Sequence, residues 1–518
     1  MSASGEPVRA VTAVVRFALQ DYVRNPVNLL LLLVVPTVFV LVVAPTLAGV
    51  ESFTGGLSGP PVEVASAAWS ATFLAGVAMY FQVVSTGDAD RRLLSAGLSG
   101  RVLTGARLAT GFVLAAAASG AAVLTLLLRA DVNAPARVLI GTLVAATMYV
   151  GIGAAVGAVV PNPVNGTVVL MFLWLFDVFF GPVMTADRPL SRVLPTHFAQ
   201  LWVVDLESGH AARLSDLTWA LVALTAALGL AFVVVRRRAS LPRPRSPGRP
   251  WSATAQFDAA MRAVRREARR NPVQWVLYAV VPAVFVIAAD AVTPEEPLDV
   301  LVREGGAATL RTVTMPAVHA TAMAAIAVAA LSALAGLFGV LESRRADGRV
   351  TLAGLRPGAL LVARLVVLVA STLVALTVTL VATGAVTDVR QWVPYGLAVL
   401  GAGMTYGLVG SLIAPLTGRV AGVFLVFLLP FLDLGIAQSP LLRPEPSEAA
   451  TWLPGYGASR VALDAALTSG FDEGRGVLLA LVWLAVLLAL VAVVYRHSVR
   501  PKTPVLGADP QSRSRTGS

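Results

Sequence analysis

Residues 24–40 read RNPVNLLLLLVVPTVFV, and residues 270–286 read RNPVQWVLYAVVPAVFV. Arg24, Asn25, Pro26 and Val27 recur as Arg270, Asn271, Pro272 and Val273. Val34-Val35-Pro36 recurs as Val280-Val281-Pro282, again 246 positions on, so the two copies are in register. Each is a polar, arginine-bearing lead-in followed by an apolar run that continues to about residues 49 and 293. Such a run is long enough to cross roughly 30 Å of hydrocarbon. The pattern predicts two related membrane halves in tandem, a layout that places a functional site at the interface between repeats.

Composition agrees. Of the 518 residues, 57% are hydrophobic and 13% charged, and the mean hydropathy is +0.77. A soluble domain carries about 25% charged residues. With no cysteine, the chain has no disulfide, thiolate metal site or cysteine nucleophile. Lys502 is the only lysine among 40 Lys+Arg. The net charge of +11 does not imply a nucleic-acid partner, because its placement decides, and none is expected. The first apolar run is too long for the core of a cleavable signal.

Apolar runs fall near 27–49, 64–86, 105–129, 138–160, 165–185 and 216–235, then near 272–292, 313–340, 359–384, 392–415, 420–438 and 476–495. The expected fold class is all-α: a polytopic membrane protein of 12 transmembrane helices, arranged as two tandem six-helix repeats with amphipathic lead-in helices. With the N-terminus inside, most arginines fall on inner segments, chiefly 87–107, 236–270 and 341–364, and most acidic residues on outer ones. The positive-inside rule then places both termini in the cytoplasm and the chain, multi-pass, in the inner (plasma) membrane.

The lead-in at 8–24 carries Val8, Val11, Val15, Leu19 and Tyr22 on one face, with Arg9, Arg16, Gln20 and Arg24 between them. Residues 257–270 repeat that pattern, and both suit a helix lying on the lipid surface. The expected organisation is a first half of six spans at 1–238, an Arg/Pro-rich cytoplasmic linker at 239–256, a second half at 257–498 and a disordered tail at 499–518.

The second inner loop of each half is the most informative. The first has Asp88, Asp90, Arg91, Arg92, Leu93 and Leu94, then Ala106-Arg107-Leu108. The second has Glu342, Arg344, Arg345, Asp347, Gly348, Arg349, Val350, Leu352 and Pro357, then Ala363-Arg364-Leu365. A short acidic, basic and apolar helix held between two spans can dock a cytosolic partner: apolar side chains fill a cleft while charges fix the register. The outer loops before the sixth spans carry Leu194-Pro195-Thr196-His197 and Leu453-Pro454-Gly455-Tyr456.

Together these features resemble the type-2 family of ATP-binding-cassette (ABC) exporter permeases, in a tandem-fused form. The likeness covers nearly the whole chain except linker and tail. The first inner loop departs from the pattern, lacking its Gly and Pro. The resemblance implies an export permease, not itself an enzyme, that moves an apolar or amphipathic, drug- or antibiotic-like compound outward. ATP would be bound and hydrolysed by a separate ABC ATPase subunit, in two copies, docked at Asp90, Arg91, Arg92, Leu93, Leu94, Glu342, Arg345, Val350 and Leu352. One residue-level observation agrees: a phosphate-cradling loop needs GxxxxGK[ST], and Lys502 sits in the tail with no such glycines before it.

Two acidic residues, Asp177 and Asp433, lie within spans and match each other 256 positions apart. Intramembrane carboxylates are costly and default to functional roles. They could line the substrate path, or they could be held near the outer interface by backbone groups. They also support an alternative, a secondary drug/proton antiporter, in which they would carry the protons. The four histidines, His197, His210, His319 and His497, are scattered, and no metal site is expected. Gly153 and Gly157, matched with Gly407 and Ser411, read as helix-packing positions.

Overall fold

Prolines and short polar caps set where the helices begin. Ser99 accepts a hydrogen bond from the Val102 N–H at 3.3 Å, and Asn162 accepts from the Val164 and Asn165 N–H groups at 3.0 and 3.2 Å. Pro135 and Pro163 occupy first turns, where a missing N–H costs nothing. The computed structural model describes residues 5–23, 26–45, 60–185, 189–204, 213–238, 272–343 and 357–499.

The helices are α1 (Gly5–Val23), α2 (Pro26–Val38), α3 (Pro60–Ser95), α4 (Gly100–Arg129), α5 (Pro135–Val159), α6 (Pro163–Phe179), α7 (His197–Val203) and α8 (Leu214–Arg238). After them come α9 (Pro272–Val292), α10 (Met315–Leu341), α11 (Pro357–Val386), α12 (Trp392–Ile413), α13 (Arg419–Pro430), α14 (Tyr456–Leu467) and α15 (Gly474–Val499). A π-helical stretch, Phe39–Val43, continues α2, and another, Phe431–Ala437, continues α13. Among the described residues, eleven helices are long and apolar enough to cross a membrane. The chain is an all-α, multi-pass membrane protein. The first apolar run is described as far as residue 45, and residues 257–270, the linker and the tail lie outside the described residues.

Two departures from expectation stand out. Residues 88–95 do not form a separate loop helix. They are the last two turns of α3, which runs 36 residues without a break. The helix stops at Gly97, whose φ of +94° is the left-handed conformation that glycine tolerates. The Leu98 N–H donates to Leu93 O and the Gly97 N–H to Leu94 O, both at 3.0 Å, which closes the turn into α4. Second, between α9 and α10 stands an antiparallel hairpin, β1 (Pro297–Glu304) with β2 (Ala307–Thr314). Gly305 and Gly306, at φ +62° and +81°, make its two-residue turn.

The most buried helices, α3 and α10, pack against α5 and α12 through glycine. A Cβ on Gly153 would overlap Gly76 O, and one on Gly410 would overlap Ala333 O. By these contacts Gly153 corresponds to Gly410 rather than to Gly407, because the packing partners lie 257 apart. Helices α8 and α15 are peripheral and present Leu221, Leu230, Leu478 and Leu481 outward, as lipid-facing helices do. Helix α1 lies against α4 and leaves Phe17 69% exposed.

Candidate functional site

Three features converge on the two chain halves: a pair of buried carboxylates, a charged helical hairpin and an aromatic seam. Each carboxylate sits near the end of a spanning segment, Asp177 in α6 and Asp433 in the π turn after α13, and they are 2% and 4% exposed. Asp177 accepts hydrogen bonds from the Tyr149 hydroxyl at 3.0 Å, the Thr196 hydroxyl at 2.7 Å and the Thr196 N–H at 3.2 Å. Asp433 accepts from the Tyr406 hydroxyl, the Gly455 N–H at 2.7 Å and Gln438 Nε2 at 3.0 Å. The tyrosines come from α5 and α12. Thr196 and Gly455 follow the Leu-Pro pairs and cap α7 and α14.

Each carboxylate therefore ties an outlying helix to the bundle. A buried charge is tolerable when its oxygens are supplied with donors, and these are. Gln200 reinforces the first tie, donating to Asp177 O at 3.2 Å and to Thr196 Oγ at 2.7 Å. Gln438 reinforces the second, donating to Ala450 O at 2.7 Å. At position 455 a Cβ would strike the Asp433 carboxylate, which explains glycine where the first half has threonine. The sequence gives no signal for Tyr149, Tyr406 or Gln438, and it marks Thr196 only as part of a Leu-Pro motif. Only the Leu-Pro motifs marked the region, and nothing in a linear pattern joins residue 149 to residue 177.

The hairpin at the end of α3 holds the first group of expected docking residues. Asp90 pairs with Arg107 at 2.6 Å, both side chains largely buried, and accepts from the Thr86 hydroxyl at 3.1 Å. This pair clamps α3 to α4. Arg91 pairs instead with Asp88 on the surface. Leu93 is 37% exposed, and Arg92 and Leu94 share the same last two turns. Glu342 ends α10 at an exposed position. Arg345, Val350 and Leu352 lie outside the described residues. Thus the described docking candidates sit on helix ends, while Asp177 and Asp433 are each absorbed into their own tie.

The seam runs between the halves. Phe73 of α3 lies 4.9 Å from Trp174, 5.3 Å from Phe427 and 5.7 Å from Phe424, measured between ring centroids. Trp174 meets Phe427 edge-on at 5.6 Å and Phe39 at 6.0 Å. Phe172 meets Phe285 at 5.9 Å, and Phe81 meets Phe338 at 6.3 Å. The Trp174 indole N–H donates to Trp69 O at 2.8 Å, so the ring is fixed rather than free to flip. Each such ring pair adds about 0.5–1.5 kcal/mol beyond burial.

This architecture defines a class, the multi-pass helical membrane protein built like a transporter. No protein-family model and no curated protein matches the chain.

Proposed function

We propose that the chain is the membrane permease of an ATP-driven exporter of the ABC type, moving an apolar or amphipathic compound outward. In this reading α2 and its π turn complete a twelfth span, and two six-span repeats meet at the aromatic seam. The observation that carries the proposal is the doubling of one construction. Tyr149–Asp177–Thr196 and Tyr406–Asp433–Gly455 occupy matching places in the two halves, on either side of a seam of tilted and edge-on rings. Two similarly braced bodies that meet through packed side chains can part and close without unfolding.

The force enters at the charged ends. The hairpin of α3 and α4 and the segment after α10 face the cytoplasm with both termini, and an ABC ATPase in two copies grips them. The Asp90–Arg107 clamp makes α3 and α4 one lever, so a push on Leu93 and Leu94 is passed to Phe73 along the same unbroken helix. No residue of this chain supplies a phosphate loop, so ATP hydrolysis belongs to the partner.

The antiporter reading draws on the same two carboxylates. A proton carrier needs an oxygen that water can reach, whereas each of these accepts three hydrogen bonds in a buried setting. The deciding test is reconstitution with and without a separate ABC ATPase subunit. Outward movement of a fluorescent apolar dye should need both the ATPase and ATP, and Leu93→Asp with Leu94→Asp should uncouple hydrolysis from movement. Transport driven by a pH gradient alone, without the ATPase, would refute the proposal.

A further inference from the structure

A polar hollow flanks the ring seam on the side of the second half. Its volume is about 280 Å³, and its walls come from α9, α10, α11 and the end of α12, with Asn162 and Val164 of the first half closing one side. Along α11 the walls run from Leu361 to Ser371, about 15 Å at 1.5 Å per residue. Glu342, exposed where α10 ends, marks the mouth. Phe338 is the wall toward the first half, and its ring meets Phe81 there at 6.3 Å.

The matching place in the first half is built differently. Close glycine contacts align α3 with α10 and α5 with α12 at 257 residues, and the Ala-Arg-Leu triplets align α4 with α11 at the same offset. Gly336, Ser371 and Ser411 line the hollow; Met79, Leu114 and Ala154 stand in their places and are all buried. A Cβ on Gly111 would strike the Met79 sulfur, so that side chain is packed onto α4. Leu368, where the first half has Gly111, goes the other way and takes back part of the room. The balance is smaller and more polar side chains in the second half.

The walls suit water. Ser343 donates to Gly339 O at 2.7 Å and Ser411 to Gly407 O at 3.0 Å. Each hydroxyl has one hydrogen, so toward any further partner its oxygen is an acceptor. A cavity of this size with polar partners holds several waters, whereas an apolar one stays dry. Glu342 and Arg364 put one charge of each sign on the wall, and among the described residues no other charged group lines it. A cleft of a single sign concentrates its counter-ions; this one has no such bias.

We infer that a blind aqueous inlet wets the second half from its Glu342 end to the depth of Ser371, and that the first half is dry at the matching depth. The inlet takes water and small hydrophilic solutes of either charge sign. That the polar end of the cargo enters here, so that loading uses one half only, rests on the exporter reading; the wetting does not.

The chain has no cysteine, so single thiols report the water. Ser371→Cys and Ser411→Cys place them on the hollow, and Leu114→Cys and Ala154→Cys at the matching points of the first half. In lipid nanodiscs, open to reagent on both faces, a membrane-impermeant trimethylammonium methanethiosulfonate should modify 371 and 411 roughly tenfold faster than 114 and 154, which only local opening exposes. The anionic sulfonate reagent, corrected for its rate with a free thiol, should agree within about threefold, where a cleft of one sign would separate the two by roughly tenfold or more. Gly339 lines the hollow and has nothing within 4 Å of a Cβ. Adding Gly339→Leu should therefore slow both second-half thiols without lowering the thermal midpoint. Equal rates in the two halves, or second-half rates that Gly339→Leu leaves unchanged, overturn the inlet. In vesicles reconstituted with an ABC ATPase, modified Ser371→Cys should lose most of its ATP-driven dye movement. Unimpaired movement would remove the cargo route, and no ATP-driven movement before modification would refute the exporter reading; the measured wetting stands in both cases.

Discussion

Replacing Asp177 with alanine should release α7 from the bundle without unfolding the spans. The substitution strips the acceptor from the Thr196 hydroxyl and N–H, which lie 2.7 and 3.2 Å from the carboxylate. Both donors would then be buried unpaired in the closed state and satisfied by water in the open one. At about 1–3 kcal/mol for each orphaned donor, the closed state loses about 2–4 kcal/mol, allowing for relaxation. Local opening then becomes roughly 30- to 1,000-fold more frequent. Leu201→Cys, 3% exposed on α7, reports it through its alkylation rate with a water-soluble maleimide. Thr196→Val should give a smaller rise, and the two changes together should raise the rate less than the sum of their separate effects, because one interaction is removed twice. An alkylation rate within threefold of the parent, or an equal rise at Ala122→Cys deep in α4, would refute the idea that this carboxylate holds α7.

Further outcomes follow from packing and turns. Gly153→Ala should cost about 1–3 kcal/mol or more by forcing α3 and α5 apart, seen as a lower aggregation temperature in detergent, whereas Gly229→Ala, with nothing within 4 Å, should be neutral. Gly305→Val should strain a residue held at φ +62° by about 1–2 kcal/mol, and limited proteolysis should then cut the hairpin first. Outside the spans, burial pushes the Asp464 carboxyl up from its usual range, against the hydrogen bonds from the Asp472 N–H and the Thr468 hydroxyl. A raised carboxyl favours the folded state when protonated, so its contribution falls as pH rises from about 4 through the raised value. The thermal midpoint of Asp464→Asn should vary less with pH over that window.

Much of the helix plan is legible in the chain. Apolar runs locate the spanning helices to within a few residues, because Pro135, Pro163 and Pro272 start helices where the runs start. The C-terminal end of α3 departs from the reading of the sequence for a physical reason. Asp88, Asp90, Arg91 and Arg92 end the hydropathy but not the helix, since Leu, Arg and an internal ion pair sustain it in water. The hairpin has a local signal in the chain, since Leu298, Val300 and Val302 alternate before Gly305-Gly306. The partners of Asp177 and Asp433 were hidden because their hydrogen bonds join separate helices, which no local period encodes.

The interlocking rings of Phe73, Trp174 and Phe427 carry an implication for the resting cell. A conduit wide enough for bulky cargo would, if left ajar, short-circuit the ionic battery across the membrane. Oily flat surfaces pressed edge to face offer protons and sodium no wet wire to follow. In the exporter we propose, such a gasket would let the gate idle shut at no running cost in charge.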